Sequence, residues 1–189
     1  MVTKKLSVLS RDTVFSKFGK KMIHEKLKMK DGNILDWYYL DSSDSVLIVP
    51  LTNNNETLLI KQNRFNLRKN VYEFPSGGIV GNLSSTNVEK SAVKELFEET
   101  GYIANKIINL GKYYVLPSET NRWVHVYLAL GVTKKSEPIL DNLIEKYFEI
   151  KVKLCKYKDL ISGKIIFKGL EHNFALNLAE KYLVKNKLI

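Results

Sequence analysis

The apolar positions of the chain change period several times, and each change marks an element. Over residues 13–42 the pattern is one of short strands. Residues 22–29 alternate, Lys30-Asp31-Gly32-Asn33 supplies an Asp-Gly turn, and residues 34–40 form the returning strand of a hairpin. Ser45–Leu51 is almost continuously apolar and predicts a buried strand. The polar run Thr52-Asn53-Asn54-Asn55-Glu56 predicts a turn into a strand over 57–62, making a second hairpin. A short strand over 72–74 ends at Pro75-Ser76-Gly77-Gly78. Thr86 followed by Glu89 fits a capping box for a helix over 87–100, with Gly101 as its stop. Lys106–Tyr114, 123–131 and 148–154 read as strands, and 156–161 as a short helix. An amphipathic helix over 173–184 has Phe174, Leu176, Leu178, Ala179 and Tyr182 on its apolar side. Many strands with one central and one terminal helix predict a mixed α/β fold.

Composition narrows the class without naming a chemistry. The 189 residues are 44% hydrophobic and 26% charged, the balance of a globular domain and not of a rod, a collagen or a disordered tail. No apolar run approaches the roughly 18 residues of a membrane span. Cys155 is the one cysteine, so no intrachain disulfide forms. The basic N-terminus has no apolar stretch of the secretory type, and a cytoplasmic location is the expectation. The net charge of +10 is uneven. Residues 1–30 carry nine Lys/Arg against two acids, 151–189 nine against three, and 31–150 twelve against fifteen. Basic flanks suit phosphate-rich ligands, but the excess is nearly all lysine and no RNA-reading element accompanies it. Nucleic acid is therefore not the expected partner.

The acids gather where the motifs lie. In Lys94-Glu95-Leu96-Phe97-Glu98-Glu99-Thr100-Gly101-Tyr102, helical geometry puts Glu95, Glu98 and Glu99 on one stripe. Val93, Leu96 and Phe97 lie opposite and should pack on a sheet. The three carboxylates repel one another by a few tenths of a kcal/mol per pair. No lysine stands four residues after any of them, and a hard divalent cation would relieve the repulsion. A solvated acidic face is the alternative. The glycine turn ahead of the helix and the glycine that closes it favour a site.

This segment resembles the Nudix hydrolase signature: Gly, five residues, Glu, seven residues, then Arg-Glu-Ile/Leu-x-Glu-Glu-x-Gly-Ile/Leu. Residues 94–102 match its second half, with Lys94 for arginine and Tyr102 for the aliphatic residue. With Gly77 as the signature glycine, Leu83 stands where glutamate is expected, and the spacing to Lys94 is three residues longer. Leu59-Ile60-Lys61-Gln62-Asn63-Arg64-Phe65 and Tyr72-Glu73-Phe74-Pro75-Ser76-Gly77-Gly78 are similar to segments of the ADP-ribose and nucleoside diphosphate sugar pyrophosphatase branch. Pro117, sixteen residues after Gly101, also has that branch's spacing.

The resemblance implies a Nudix α/β/α sandwich with a mixed sheet over 43–189 and an antiparallel β extension over 1–42. In the branch this extension is exchanged between the subunits of a homodimer. It further implies Mg²⁺, with Mn²⁺ as a substitute, on Glu95, Glu98, Glu99 and the Ser76 carbonyl. Lys94 would orient a neighbouring glutamate, and Glu145 or else Glu119 would act as general base. Arg64 would contact phosphate, Glu73 would lie by the terminal sugar and metal, and Trp37 would stack on the base. Gly77 and Gly78 would admit the backbone close to the ligand. The implied reaction is hydrolysis of a nucleoside diphosphate sugar, ADP-ribose to AMP and ribose 5-phosphate first. The alternatives are an inactive Nudix-fold ligand-binding module and an RNA 5′-end pyrophosphohydrolase. His24, His125 and His172 are scattered without Cys partners and predict no zinc site. Cys155 reads as a small apolar residue.

Overall fold

The computed structural model describes residues 6–17, 20–79, 83–139 and 147–189. The chain divides into two compact units, Met1–Asp44 with Tyr114–Trp123, and Ser45–Tyr113 with Val124–Ile189.

The first unit is an antiparallel meander of β1 (Ser7–Lys17), β2 (Lys20–Lys28) and β3 (Ile34–Asp41). The Asp-Gly hairpin is present. Lys28 faces Ile34, Gly32 takes φ 88°, and the Asn33 amide donates to Asp31 Oδ1 at 3.1 Å. Strand β1 starts six residues before the first expected strand, because its apolar residues carry no clean alternation. Its pairing with β2 shifts register between Val8 and Ser10 and again between Thr13 and Phe15. Residues 114–123 complete the unit. The Leu40 amide donates to the Glu119 carbonyl at 2.8 Å, and the Trp123 amide to Asp44 Oδ1 at 3.1 Å.

Apart from the terminal residues Tyr114 of β9 and Trp123 of β10, which belong to the first unit, the second unit contains β4 (Ser45–Leu51), β5 (Glu56–Arg64), β6 (Lys69–Glu73), β7 (Ser76–Gly78), α1 (Ser85–Thr100), β8 (Tyr102–Ile103), β9 (Lys106–Tyr114), β10 (Trp123–Leu130), β11 (Thr133–Lys134), β12 (Lys151–Lys156), α2 (Tyr157–Ile161) and α3 (Leu170–Lys185). Its strands form a sheet of order β7-β4-β10-β9, a second of order β12-β5-β6, and the pair β11-β8. β4 runs parallel to β10, with Val124 beside Ser45. All seven residues of β4 are buried, as parallel strands covered on both faces require. Val46 and Ile48 pack with Val88, Ala92 and Leu96 of α1. Leu47 and Val49 point the other way and are equally buried, and α3 also lies on β4. The architecture is mixed α/β, as expected.

The expected hairpin of β4 and β5 is absent, although the turn between them forms, with the Thr52 amide on the Glu56 carbonyl at 2.8 Å. Each strand is already flanked on both edges, β4 by β7 and β10, β5 by β12 and β6, so neither has an edge for the other. Pro50 sits inside β4 where central strands rarely tolerate proline. Ile48 donates to the Pro75 carbonyl at 2.9 Å, and by alternation the nitrogen of Pro50 faces the same side. β7 pairs only with Ser45, Val46 and Leu47, so the missing N–H falls beyond its end.

Local expectations also shift. The N-cap of α1 is Ser84, not Thr86, and its side chain accepts from the Asn87 amide. The covered stripe of α1 is Val88, Ala92 and Leu96, whereas Val93 is exposed. On α3 it is His172, Ala175, Ala179 and Leu183, so Phe174 stands outside it. The last strand begins three residues late because Glu149 takes φ 52°. Gly101 does close α1, with φ 74° and its amide on the Phe97 carbonyl.

Candidate active site

The C-terminal half of α1 faces the segment that joins β6 to β7. Glu99 reaches back to this segment, and the Ser76 amide donates to its Oε2 at 2.8 Å. One residue on, a Cβ at Gly77 would lie 2.2 Å from the carboxyl carbon of Glu95. Only a glycine leaves room for that carboxylate where it now stands. A Cβ at Gly78 meets nothing within 4 Å, so no protein atom crowds that position. Glu95 and Glu99 thus bracket a backbone corner from one helix face.

Burial pushes the Glu99 carboxyl up to about 8. The Ser76 amide and the Arg64 charge favour the anion, while the neighbouring Glu95 and Glu73 charges add to the rise. A crowded, poorly hydrated carboxylate of this kind is a frequent feature of functional sites.

Glu98 is held differently. Lys94 Nζ bonds its Oε2 at 2.7 Å, an i,i+4 ion pair. The expectation that no lysine relieves the acidic stripe is therefore corrected, because the partner precedes its glutamate by four residues. Among the described residues no group of three His, Cys, Asp or Glu side chains is gathered to hold a metal ion. Two carboxylates beside a backbone corner nonetheless fit a hard divalent cation. Magnesium commonly takes one or two carboxylates and completes its shell with waters and substrate phosphates.

A second cluster lies at the end of β6. Glu73 is buried, and Arg64 engages it through two nitrogens, Nε to Oε1 at 3.0 Å and Nη2 to Oε2. Gln62 donates to the same Oε2 at 2.8 Å. Gln62 and Arg64 alternate along β5 and so share a face. This fork satisfies a buried carboxylate and leaves Nη1 of Arg64 outside the pair. The Arg64 guanidinium also lies 5.8 Å from the centroid of the Phe148 ring.

The structure thus brings together Glu95, Glu99, Ser76 and Gly77, with Arg64 and Glu73 adjoining them and Glu98 on the same helix in its pair with Lys94. Trp37 and Glu119 belong to the first unit. Trp37 sits opposite Glu25 on the meander with its ring well exposed, and Glu119 lies in the 114–123 segment. Glu145 falls outside the described residues. Leu83, at the position of the missing acid, is exposed. Sequence reasoning missed Gln62 and His172. The i,i+2 spacing from Arg64 could have found the first. Nothing local marks the second, which enters from α3, 98 positions away from the amide it meets.

A helix with this carboxylate stripe, closed by Gly101 and set against a glycine corner, is the arrangement of a Nudix hydrolase. The NUDIX domain model matches residues 41–167, and the chain belongs to that family and is a hydrolase. Nudix hydrolases generally use divalent metal ions and act on small nucleotide substrates. The chain is similar to the ADP-ribose pyrophosphatase of Bacillus subtilis (strain 168), 23% identical over 165 residues, which cover 84% of this chain and 88% of that protein. It is equally similar to the methanol dehydrogenase activator of Bacillus methanolicus, 23% identical over 164 residues, 84% of this chain and 87% of that protein. Among solved structures, an ADP compounds hydrolase shares the fold with a TM-score of 0.80 at 20% identity, covering 98% of each chain. Among the described residues no helix is long and apolar enough to cross a membrane.

Proposed function

We propose that the protein hydrolyses the diphosphate linkage of a nucleoside diphosphate sugar, with ADP-ribose to AMP and ribose 5-phosphate as the leading reaction. The observation that carries this reading is the pair of Glu95 and Glu99 carboxylates on the Ser76–Gly77 corner. Two relatives named for ADP-ribose and ADP compounds support the substrate class. In this reading Glu95, Glu98, Glu99 and the Ser76 carbonyl hold Mg²⁺, or Mn²⁺ in its place. When bound, such a cation neutralises charge on the diphosphate as a Lewis acid. Glu98 joins this set by exchanging its partner Lys94.

Arg64 offers its outer nitrogen to a phosphate oxygen while its fork stays on Glu73. Glu73, held on two sides, presents a fixed charge at the sugar end. Trp37 stacks on the base, a sequence-tolerant contact for any flat ring, and Glu145 or Glu119 takes the proton from the attacking water. The segment 1–42 serves as the dimerisation element of a cytoplasmic homodimer whose catalytic domain spans 43–189.

Product analysis tests the proposal. Purified protein is incubated with Mg²⁺ and a panel of nucleoside diphosphate sugars, beside Glu95→Gln and Glu99→Gln controls. The expected result is AMP from ADP-ribose with both controls inactive. Absence of turnover across the panel, with wild-type protein folded and metal present, overturns the substrate class. Light scattering of the same sample reports the oligomer.

A further inference from the structure

The chain between β6 and β7 has few ways to be held. β6 ends at Glu73 and β7 begins at Ser76, so Phe74 and Pro75 lie outside any strand. Pro75 has no N–H, and Phe74 is fully buried. The Phe74 amide is therefore the sole donor between the two strands, and a buried donor requires an acceptor. His172 of α3 supplies it: the Phe74 amide donates to Nδ1 at 3.1 Å.

The imidazole is built into its place. His172 is 4% exposed, and its ring centroid lies 5.6 Å from that of Phe167 and 6.3 Å from that of Phe74. A Cβ at Gly169 would stand 2.8 Å from its Cδ2, so the residue that opens α3 is small where the ring needs room. Accepting at Nδ1 puts the proton of the neutral ring on Nε2. That nitrogen lies 3.9 Å from Glu73 Oε2, close enough for a favourable dipole and too far for a hydrogen bond. Burial lowers the basicity of the ring, with the Glu73 charge opposing, so the accepting form persists.

We propose that His172 is a positioning residue for the hydrolase site, setting through the Phe74 amide where the Ser76 amide and the Gly77 backbone meet Glu99 and Glu95. This rests on the function proposed above. Among the described residues the segment makes three hydrogen bonds, from the Phe74 N–H to His172, from the Ile48 amide to the Pro75 carbonyl at 2.9 Å and from the Ser76 N–H to Glu99, and the Phe74 ring packs 4.6 Å from that of Phe167. The His172 bond is the one that ties the segment to α3, and the same imidazole faces Glu73, so one ring touches both halves of the site. Truncation of the acceptor releases the β6 end of the segment while the β4 attachment remains.

The test compares His172→Leu, which fills the space without an acceptor, with His172→Asn, whose Oδ1 can take the place of Nδ1. NMR of wild-type protein without metal should show the Nε2–H tautomer of His172 and slow exchange of the Phe74 and Ser76 amides. In His172→Leu those amides should exchange faster and kcat should fall about tenfold at unchanged KM, the rate equivalent of one lost hydrogen bond. His172→Asn should restore most of both. The Nδ1–H tautomer in wild-type protein overturns the proposal. So does a folded His172→Leu with wild-type kcat, or a loss that His172→Asn does not relieve while Ser76 exchange stays slow. Should His172→Leu fail to fold, the tautomer and the His172→Asn rates decide. Should the wild-type protein hydrolyse nothing, the function fails on its own, and the tautomer and amide exchange still judge the positioning.

Discussion

Gly77→Ala isolates the close approach on which the site depends. The added Cβ would stand 2.2 Å from the Glu95 carboxyl carbon, 2.2 Å from Oε2 and 2.5 Å from Oε1. Ordinary contact begins at 3.4 Å, so the carboxylate must retreat by about 1.2 Å. All three atoms are the far end of a flexible side chain, and Gly77 is not among the residues with positive φ. The move therefore costs little in folding. Glycine in a strand is itself worse than alanine by about 0.5–1 kcal/mol, so the Tm should stay within about 4 °C of wild type. Catalysis has no such latitude, since a misplacement of about 1 Å in a reacting group can cost about a hundredfold in rate. The assay is kcat/KM for the substrate found in the product panel, beside a thermal melt of the same preparation. A double-mutant cycle read on the melt completes it: in a Glu95→Ala background, adding Gly77→Ala should cost no stability, because the clash has lost its partner. Gly77→Ala protein with rates within about threefold of wild type would refute the reasoning, that window being under 1 kcal/mol of barrier. A further loss in the Glu95→Ala background would show that the alanine acts on something else.

Two further outcomes follow from the charges of the site. Arg64→Ala leaves Glu73 buried without its cation and should cost about 3 kcal/mol, the lower end for a broken buried pair because Arg64 is partly exposed. Chemical denaturation reads it, and a loss under about 1 kcal/mol would place the pair with ordinary surface ion pairs. Glu99 gives a pH signature in metal-free protein. Its folded carboxyl titrates near 8 against an ordinary 4.5, so over that window the folded state binds more protons than the unfolded state, and stability falls as pH rises. Melts in EDTA from pH 5 to 9 should slope downward for wild type and less so for Glu99→Gln. Parallel profiles would locate the slope elsewhere.

Much of the site was legible because its signals are local. Glu95, Glu98 and Glu99 announce themselves by helical spacing, and Gly101 closes the helix at the expected residue. Glu73 through Gly78 stand together in the chain, and Gly77 meets Glu95 as its small size implies. What escaped was set by tertiary packing. Ser45–Leu51 and the strand after it read as a hairpin from their turn, yet the choice of sheet depends on which edges distant strands fill. Both helices bury a stripe rotated from the one hydrophobicity favoured, since Ala92, Ala175 and His172 go inside while Val93 and Phe174 remain outside. Small residues let a helix approach a sheet closely, and a hydrophobicity pattern undervalues them. The match of Lys94 to the signature arginine implies a glutamate partner, but that the partner is Glu98 shows only on looking four residues back along the helix as well as forward.

Pro50 has an effect well beyond its own strand. Because it offers no donor toward the β7 side of β4, the chain passing there is free to belong to the other sheet, and it changes sheets at Phe74 and Pro75. Glu73 is thus the last residue of one sheet and Ser76 the first of another, three positions apart. The groups proposed for the sugar and for the metal are delivered by a single short tether instead of by two loops of independent length. Additions between Gly78 and α1, where the spacing exceeds the family signature by three residues, leave that tether unaltered. The fold separates the part of the loop that can vary in length from the part that sets the register of the chemistry.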